Sequence, residues 1–297
     1  MTILDCESFD TAMASMAAAI DVPAPALLAV LRSHDPGSRT GWDRADTDPP
    51  KLLRPFGLEL HDLRFDGVYL FHGTRVMCPE AFLRDGILPL NAMLDQIWTS
   101  LHQLCAEQVP LQQWQALRQR LETGALAPGD NRQWAGQYRH KVTQPVEQGP
   151  FASVVRDLVI RPARNHHDYL GIPEIVREIA RCVGLNLQAR FKASSTSCIV
   201  KFRHNYVDEG TIAAALTYLL TSARSEPLDE GCAYYPSCGG QAVPPDAVIT
   251  VDEMGPPQRG GSRRRTIRRH HQTDLPSVDV VARQRPMPAG TPATVDD

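Results

Sequence analysis

The chain has 297 residues, of which 42% are hydrophobic and 22% charged, and a formal net charge of −3; this suffices for a sizeable core arranged as one large domain or two small ones. No run reaches the ~20 apolar residues of a bilayer span, and the acidic opening MTILDCESFD lacks the basic and then apolar regions of a secretory leader. Seven cysteines form no repeating frame, which argues against a secreted disulfide scaffold, so the expectation is a soluble, cytoplasmic protein with reduced thiols and no membrane contact.

In chain order, FDTAMASMAAAIDVPAPALLAVLRSH predicts two short helices broken at Pro23 and Pro25, and DPGSRTGWDRADTDPPK predicts a loop. Together they make an N-terminal helical segment and loop over residues 1–55. From Phe56 the alternation of LELHDLRFDGVYLFH reads as a strand, and a working domain is expected over residues 56–255. Met93, Leu94, Ile97, Trp98, Leu101, Leu104 and Cys105 recur at helical spacing, as do Leu111, Trp114, Leu117 and Leu121. TGALAPGDNRQWAGQ reads as an exposed excursion, and the β-branched content of FASVVRDLVIRP as a strand. A helix follows from Ile172 to Val183 with Pro173 at a tolerated early position, then two short strands, LNLQARF and SCIVKFR. DEGTIAAALTYLLTSA is a helix with Asp208 as its cap, and DAVITVD is the last expected strand. Helices inserted among strands point to the α+β class.

Residues 256–297 hold eight arginines against four aspartates, so a basic tail follows an acidic body. Rich in Gly, Pro and Arg and poor in large apolar groups, this segment is expected to be disordered. Arg263, Arg264, Arg265, Arg268 and Arg269 offer contacts to nucleic-acid phosphates; a solvated tail without a specific partner is the plainer reading.

The stretch DGVYLFHGTRVMCPEAFLRDGILPL, residues 66–90, poses a different question, because a core strand has no need of a terminal histidine, glycine and threonine. YLFHGTR followed by PEAFLRDGILP resembles the first block of the ADP-ribosyltransferase fold, as found in diphtheria-toxin-like and poly-ADP-ribose-polymerase-like enzymes. The resemblance implies a split β-sheet core with inserted helices and NAD as substrate. It further implies that His72 hydrogen-bonds the adenosine-side ribose and that the Gly73 backbone bonds the nicotinamide carboxamide. Thr74 is expected to fix the turn, and Gly86 to end a helix in a left-handed cap, with Ile87 and Leu88 packing back into the core. A strand-to-helix turn with a surface histidine is the bland alternative.

Such a reaction cleaves the nicotinamide–ribose bond through an oxocarbenium-like transition state, which a carboxylate stabilises. Glu230, in LDEGCAYYPSCGGQAVPPDAVITVD, is the first choice, because the end of that stretch resembles a late strand segment of bacterial members; Glu253 and Glu209 are the other candidates. The aromatic expected under the nicotinamide ring is Tyr235, with Tyr169 and Tyr234 as alternatives. Ser195, Thr196 and Ser197 resemble an element of the family's arginine-type branch, but His72 sits where that branch has arginine, so strand-edge hydroxyls are expected. His166, His167 and Asp168 lack the helical pair spacing of a zinc site, and Cys232 and Cys238 lack a second ligand pair, so no metal is expected. The resulting expectation is a bacterial-type mono-ADP-ribosyltransferase, as a toxin, effector or defence enzyme, with a protein or nucleic-acid acceptor. The alternatives are a non-catalytic binding or scaffold protein of the same fold, and an RNA-directed phosphotransferase.

Overall fold

The computed structural model describes residues 1–34, 49–126, 131–162, 168–255 and 264–268. β1 (Ile3–Asp5) is followed by α1 (Phe9–Ile20), α2 (Ala24–Ser33) and α3 (Pro49–Leu53), and then by β2 (Gly67–Val76) and α4 (Ala81–Asp85). A helical stretch comes next: α5 (Leu90–Gln103), α6 (Leu111–Thr123), α7 (Arg132–Thr143), α8 (Arg156–Ile160), α9 (Glu174–Val183) and α10 (Leu187–Ser194). β3 (Thr196–His204), α11 (Glu209–Ala223), β4 (Val248–Met254) and β5 (Arg264–Arg268) complete a mixed α+β architecture.

The strands form one sheet in the order β1-β2-β3-β4-β5, with β1 parallel to β2 and every other pairing antiparallel. Because side chains alternate along a strand, β2 sends Val68 and Leu70 to one face, where they meet Val200, Phe202 and Val251 and the buried residues of α1, α2, α3 and α11. Phe71 and Ile199 point the other way and pack on Val159 of α8. α5, α6, α7, α9 and α10 enclose a separate core around Trp98, Trp114, Tyr138, Ile179 and Phe191. Its two central tryptophan N–H groups are satisfied internally: Trp98 Nε1 donates to the Tyr138 hydroxyl at 3.0 Å, and Trp114 Nε1 to the Trp98 carbonyl at 3.1 Å. Among the described residues no single helix is long and apolar enough to cross a membrane.

Two buried ionic groups tie the sheet together. Lys201 on β3 reaches across the Tyr69 ring, 4.3 Å from its centre, to donate to Asp5 and Glu7 at 2.8 Å each. Asp252 on β4 accepts from Arg156 of α8 at 3.2 Å and from the Thr266 hydroxyl of β5 at 2.8 Å. One carboxylate therefore holds α8 and the last strand to the sheet.

The two N-terminal helices, the helices at 90–103, 111–123 and 174–183, the strand at SCIVKFR and the Asp208-capped helix form as their patterns predict. Elsewhere the structure corrects the expectation. Residues 58–66 are not strand: tight turns occupy Arg54–Phe56 and Leu60–Asp62, the second closed by Asp62 accepting from the Glu59 amide, and β1 offers pairing only from Gly67 onward. FASVVRDLVIRP makes isolated bridges at Phe151, Ser153 and Val155 and then turns into α8, whose Leu158 and Val159 are buried. LNLQARF belongs to α10, where Leu187 and Phe191, four residues apart, bury one helical face. The expected excursion at 123–137 contains the start of α7, capped by the Asn131 side chain and anchored by buried Ala135 and Tyr138. β4 is not the last strand, because Arg264–Arg268 of the expected unstructured tail pairs with it and packs Ile267 against the core. Arg263 and Arg269 lie outside the described residues.

Candidate functional site

β2 emerges from the core as it reaches the His-Gly-Thr triplet: Val68, Leu70 and Phe71 are buried, whereas His72, Gly73 and Thr74 are half-buried. The strand continues to Val76, so Thr74 pairs with Cys198 and fixes no turn. Val76 is followed by the short helix α4, which ends at Gly86 with φ 77° and ψ −159°, an extended glycine conformation and not the left-handed cap that the sequence implied. Ile87 then exchanges two backbone hydrogen bonds with Val243, at 2.9 Å each, and is buried; Leu88 is half-buried.

His72 lies on the face shared with Leu70 and Thr74. Its Nδ1 is 2.7 Å from the Phe151 carbonyl, and its ring meets Phe82 edge-on at 6.4 Å. A carbonyl can only accept, so Nδ1 carries the proton and Nε2 presents a lone pair. Loss of solvation lowers the pKa of His72 and the Phe151 carbonyl opposes that only in part, so the ring is neutral at pH 7. A neutral imidazole in this tautomer accepts from a hydroxyl or an N–H.

Gly73 faces the opposite side, where Phe71, Val159, Tyr169, Tyr235 and Phe151 line a narrow cavity with no room for a water molecule. The two tyrosine rings are 5.3 Å apart and inclined at 40°. Tyr235 is delivered there by an edge extension of the sheet. Phe71 exchanges two backbone hydrogen bonds with Ser153, at 2.9 Å each, and the 151–154 segment in turn pairs with Tyr234–Ser237. Alternation then turns Tyr234 away to donate to Asp208 at 2.6 Å. Burial raises the phenol pKa of Tyr169 and pushes that of Tyr235 up to about 12, so both present neutral aromatic faces.

Gly73 owes its lack of a side chain to this packing. A methyl group there would fall inside contact distance of Val159 Cγ1 and 2.8 Å from Tyr169 Cβ. The glycine thus admits protein side chains where the sequence implied a ligand. His72 and Gly73, adjacent in the chain, address opposite faces of the sheet, and only Gly73 and Tyr235 of the expected binding residues line the cavity.

The candidate carboxylates are dispersed. Glu230 is exposed at the start of a tight turn that packs on α11, and it lines no part of the cavity. Glu209 is exposed in the first turn of α11, next to the Asp208 cap. Glu253 shares the face of His72, in the cross-strand row formed by Thr74 and Cys198, and is paired with Arg265 of β5 at 3.4 Å. Ser197 accepts from Arg75 at 2.7 Å and donates to the Leu170 carbonyl at 2.7 Å; Ser195 gives its carbonyl to Arg75 at 2.6 Å. These serines anchor an arginine at the sheet edge. His166 and His167 lie outside the described residues, and among the described residues no three His, Cys, Asp or Glu side chains could together hold a metal ion.

Phe151 and Val159, which complete the cavity, were not singled out from sequence. The alternation of β2 offered one usable signal: Phe71 and Gly73 had to share a face that excluded His72. In type, His72 on one face offers an acceptor nitrogen to a hydroxyl or N–H, and Tyr169 and Tyr235 on the other offer aromatic faces. In size, the cavity admits not even a water molecule, whereas small-molecule sites begin at ~300 Å³, so a ligand there requires the tyrosine walls to part. No protein-family model, no characterised protein and no solved structure matches this chain.

Proposed function

We propose that the chain binds NAD against β2 and transfers its ADP-ribose to a protein or nucleic-acid acceptor. The observation that carries this reading is the geometry of residues 66–90: a central strand bearing His72-Gly73-Thr74, a short helix and the Gly86 turn form one continuous unit beside a tyrosine-walled cavity. His72, neutral and with its acceptor nitrogen fixed by Phe151, suits a ribose hydroxyl. Tyr169 and Tyr235 suit an aromatic ring once they separate.

A second reading, a binding protein of this fold without turnover, is favoured by one specific feature: among the described residues no carboxylate lines the cavity, and Glu230 stands on an exposed turn. Titration calorimetry with NAD, followed by incubation with labelled NAD and cell lysate, separates the possibilities. Binding with label transferred to lysate components supports the transferase. Binding without transfer supports the non-catalytic reading, and absence of binding removes both.

A further inference from the structure

The helical core contains a carboxylic acid in a place meant for an apolar side chain. Along α9, Ile175, Val176, Ile179 and Ala180 form the buried stripe, and Glu178 lies within it, three residues after Ile175 and 2% exposed. Its Oε2 is buried with no hydrogen-bond partner. The surrounding cations are committed to other groups. Lys141 of α7 contacts Glu174 closely and lies 3.7 Å from Glu147. Arg177 donates to Glu174 at 3.2 Å, and the Arg181 guanidinium stacks over the Trp134 ring at 3.7 Å. His140 of α7 faces Glu147 at 3.7 Å, while α10, also packed on α9, carries Arg190, which donates to the Leu104 carbonyl, and the exposed Lys192. Three carboxylates, Glu147, Glu174 and Glu178, thus surround a single lysine, and the most buried of them is the one without a partner for Oε2.

An ionised carboxylate in such a position carries a large desolvation cost without a compensating bond, and the neutral acid a much smaller one. We propose that Glu178 is a proton-operated latch, which seats α9 on α7 when it carries its proton and loosens that packing when it loses it. Burial pushes the Glu178 carboxyl up to about 7 against the pull of Lys141, with Glu174 adding to the rise and Arg177 and Arg181 opposing it. In the unfolded chain the same group ionises near pH 4.3. The folded protein therefore binds the extra proton across this window, and the stability it confers is complete below the unfolded value and lost as pH rises through the folded one. The helical core is the element set to open as the medium turns from mildly acidic to mildly alkaline. This inference is independent of what binds at β2.

The test follows the Glu178 carboxyl by carbon NMR and measures denaturation of the full chain and of Glu178→Gln from about pH 5 to about pH 8. The expected result is a carboxyl midpoint near 7, with an unfolding constant that rises by up to about two orders of magnitude in the natural protein and stays nearly flat in the variant. Amides of α7 and α9 should lose exchange protection at the alkaline end only when Glu178 is present. The comparison isolates this group from the ten histidines of the chain, which both proteins share. A carboxyl midpoint in the ordinary glutamate range, or the same pH slope in both proteins, overturns the proposal. Should Glu178→Gln fail to fold, the carboxyl titration of the natural protein decides alone.

Discussion

Replacing Gly73 with alanine adds one methyl group to a space already filled from two sides. That carbon would lie inside contact distance of Val159 Cγ1 and 2.8 Å from Tyr169 Cβ, neither of them the far end of a flexible chain. α8 and the Tyr169 segment must move, and overpacking of this kind costs about 1–3 kcal/mol. For a chain of 297 residues that corresponds to a melting temperature lower by roughly 2–5 °C. Val159→Ala in the same background should relieve part of the clash, giving a coupling of about 0.5–3 kcal/mol between the two sites. Denaturant unfolding of wild type, both single variants and the double variant measures that coupling. A Gly73→Ala protein within about 0.5 kcal/mol of wild type, or strictly additive effects, would refute the packing argument. Impaired NAD binding at unchanged stability would instead show that Gly73 faces ligand.

His72→Ala should weaken NAD binding at least several-fold while leaving the circular dichroism spectrum unchanged, because the half-buried ring is held by a single carbonyl; undiminished affinity would remove His72 from the site. Glu230→Gln and Glu253→Gln test the chemistry directly: the catalytic carboxylate should lose turnover with a nearly constant KM, and activity surviving in both excludes both assignments. Asp252→Ala leaves the Arg156 guanidinium buried without its partner and should cost about 3–5 kcal/mol in denaturant unfolding, whereas Arg156→Met with Asp252→Leu should recover most of it. Equal losses in the single and double variants would mean that the pair is not what couples α8 to the sheet.

Legibility in the sequence followed from how far each element depends on its own residues. α5 and α9 display one apolar stripe each, and α11 announces its start through Asp208, so pattern and cap suffice. α8 is five residues long and buried, and nothing in its composition separates a helix from a strand. α10 carries its signal in two positions only, Leu187 and Phe191. β1 spans three residues, and β5 is an arginine-rich edge whose pairing depends on Asp252 and Glu253 of β4; neither bears a local signature. The His-Gly-Thr motif was visible, but its division between two faces became evident only with the register of β2 against β3. Glu178 is the sharpest omission. Read as one polar residue in an apolar stripe it is unremarkable in a list of residues, and its meaning comes from neighbours on α7 and the turn at Pro145–Glu147.

Pairing of His72 with Val200 sets the order in which a growing chain can acquire its structure. While β2 is being synthesised its main antiparallel partner does not yet exist, and the whole helical stretch must be made before β3 appears. The helices can settle on contacts among themselves, at low loop-closure cost, whereas the strand waits with one edge open. The final lock arrives later still, when Thr266 reaches Asp252. The tyrosine-walled cavity is consequently a late product of translation, and interruption of synthesis before β3 leaves one edge of β2 unpaired as a segment for chaperones to recognise.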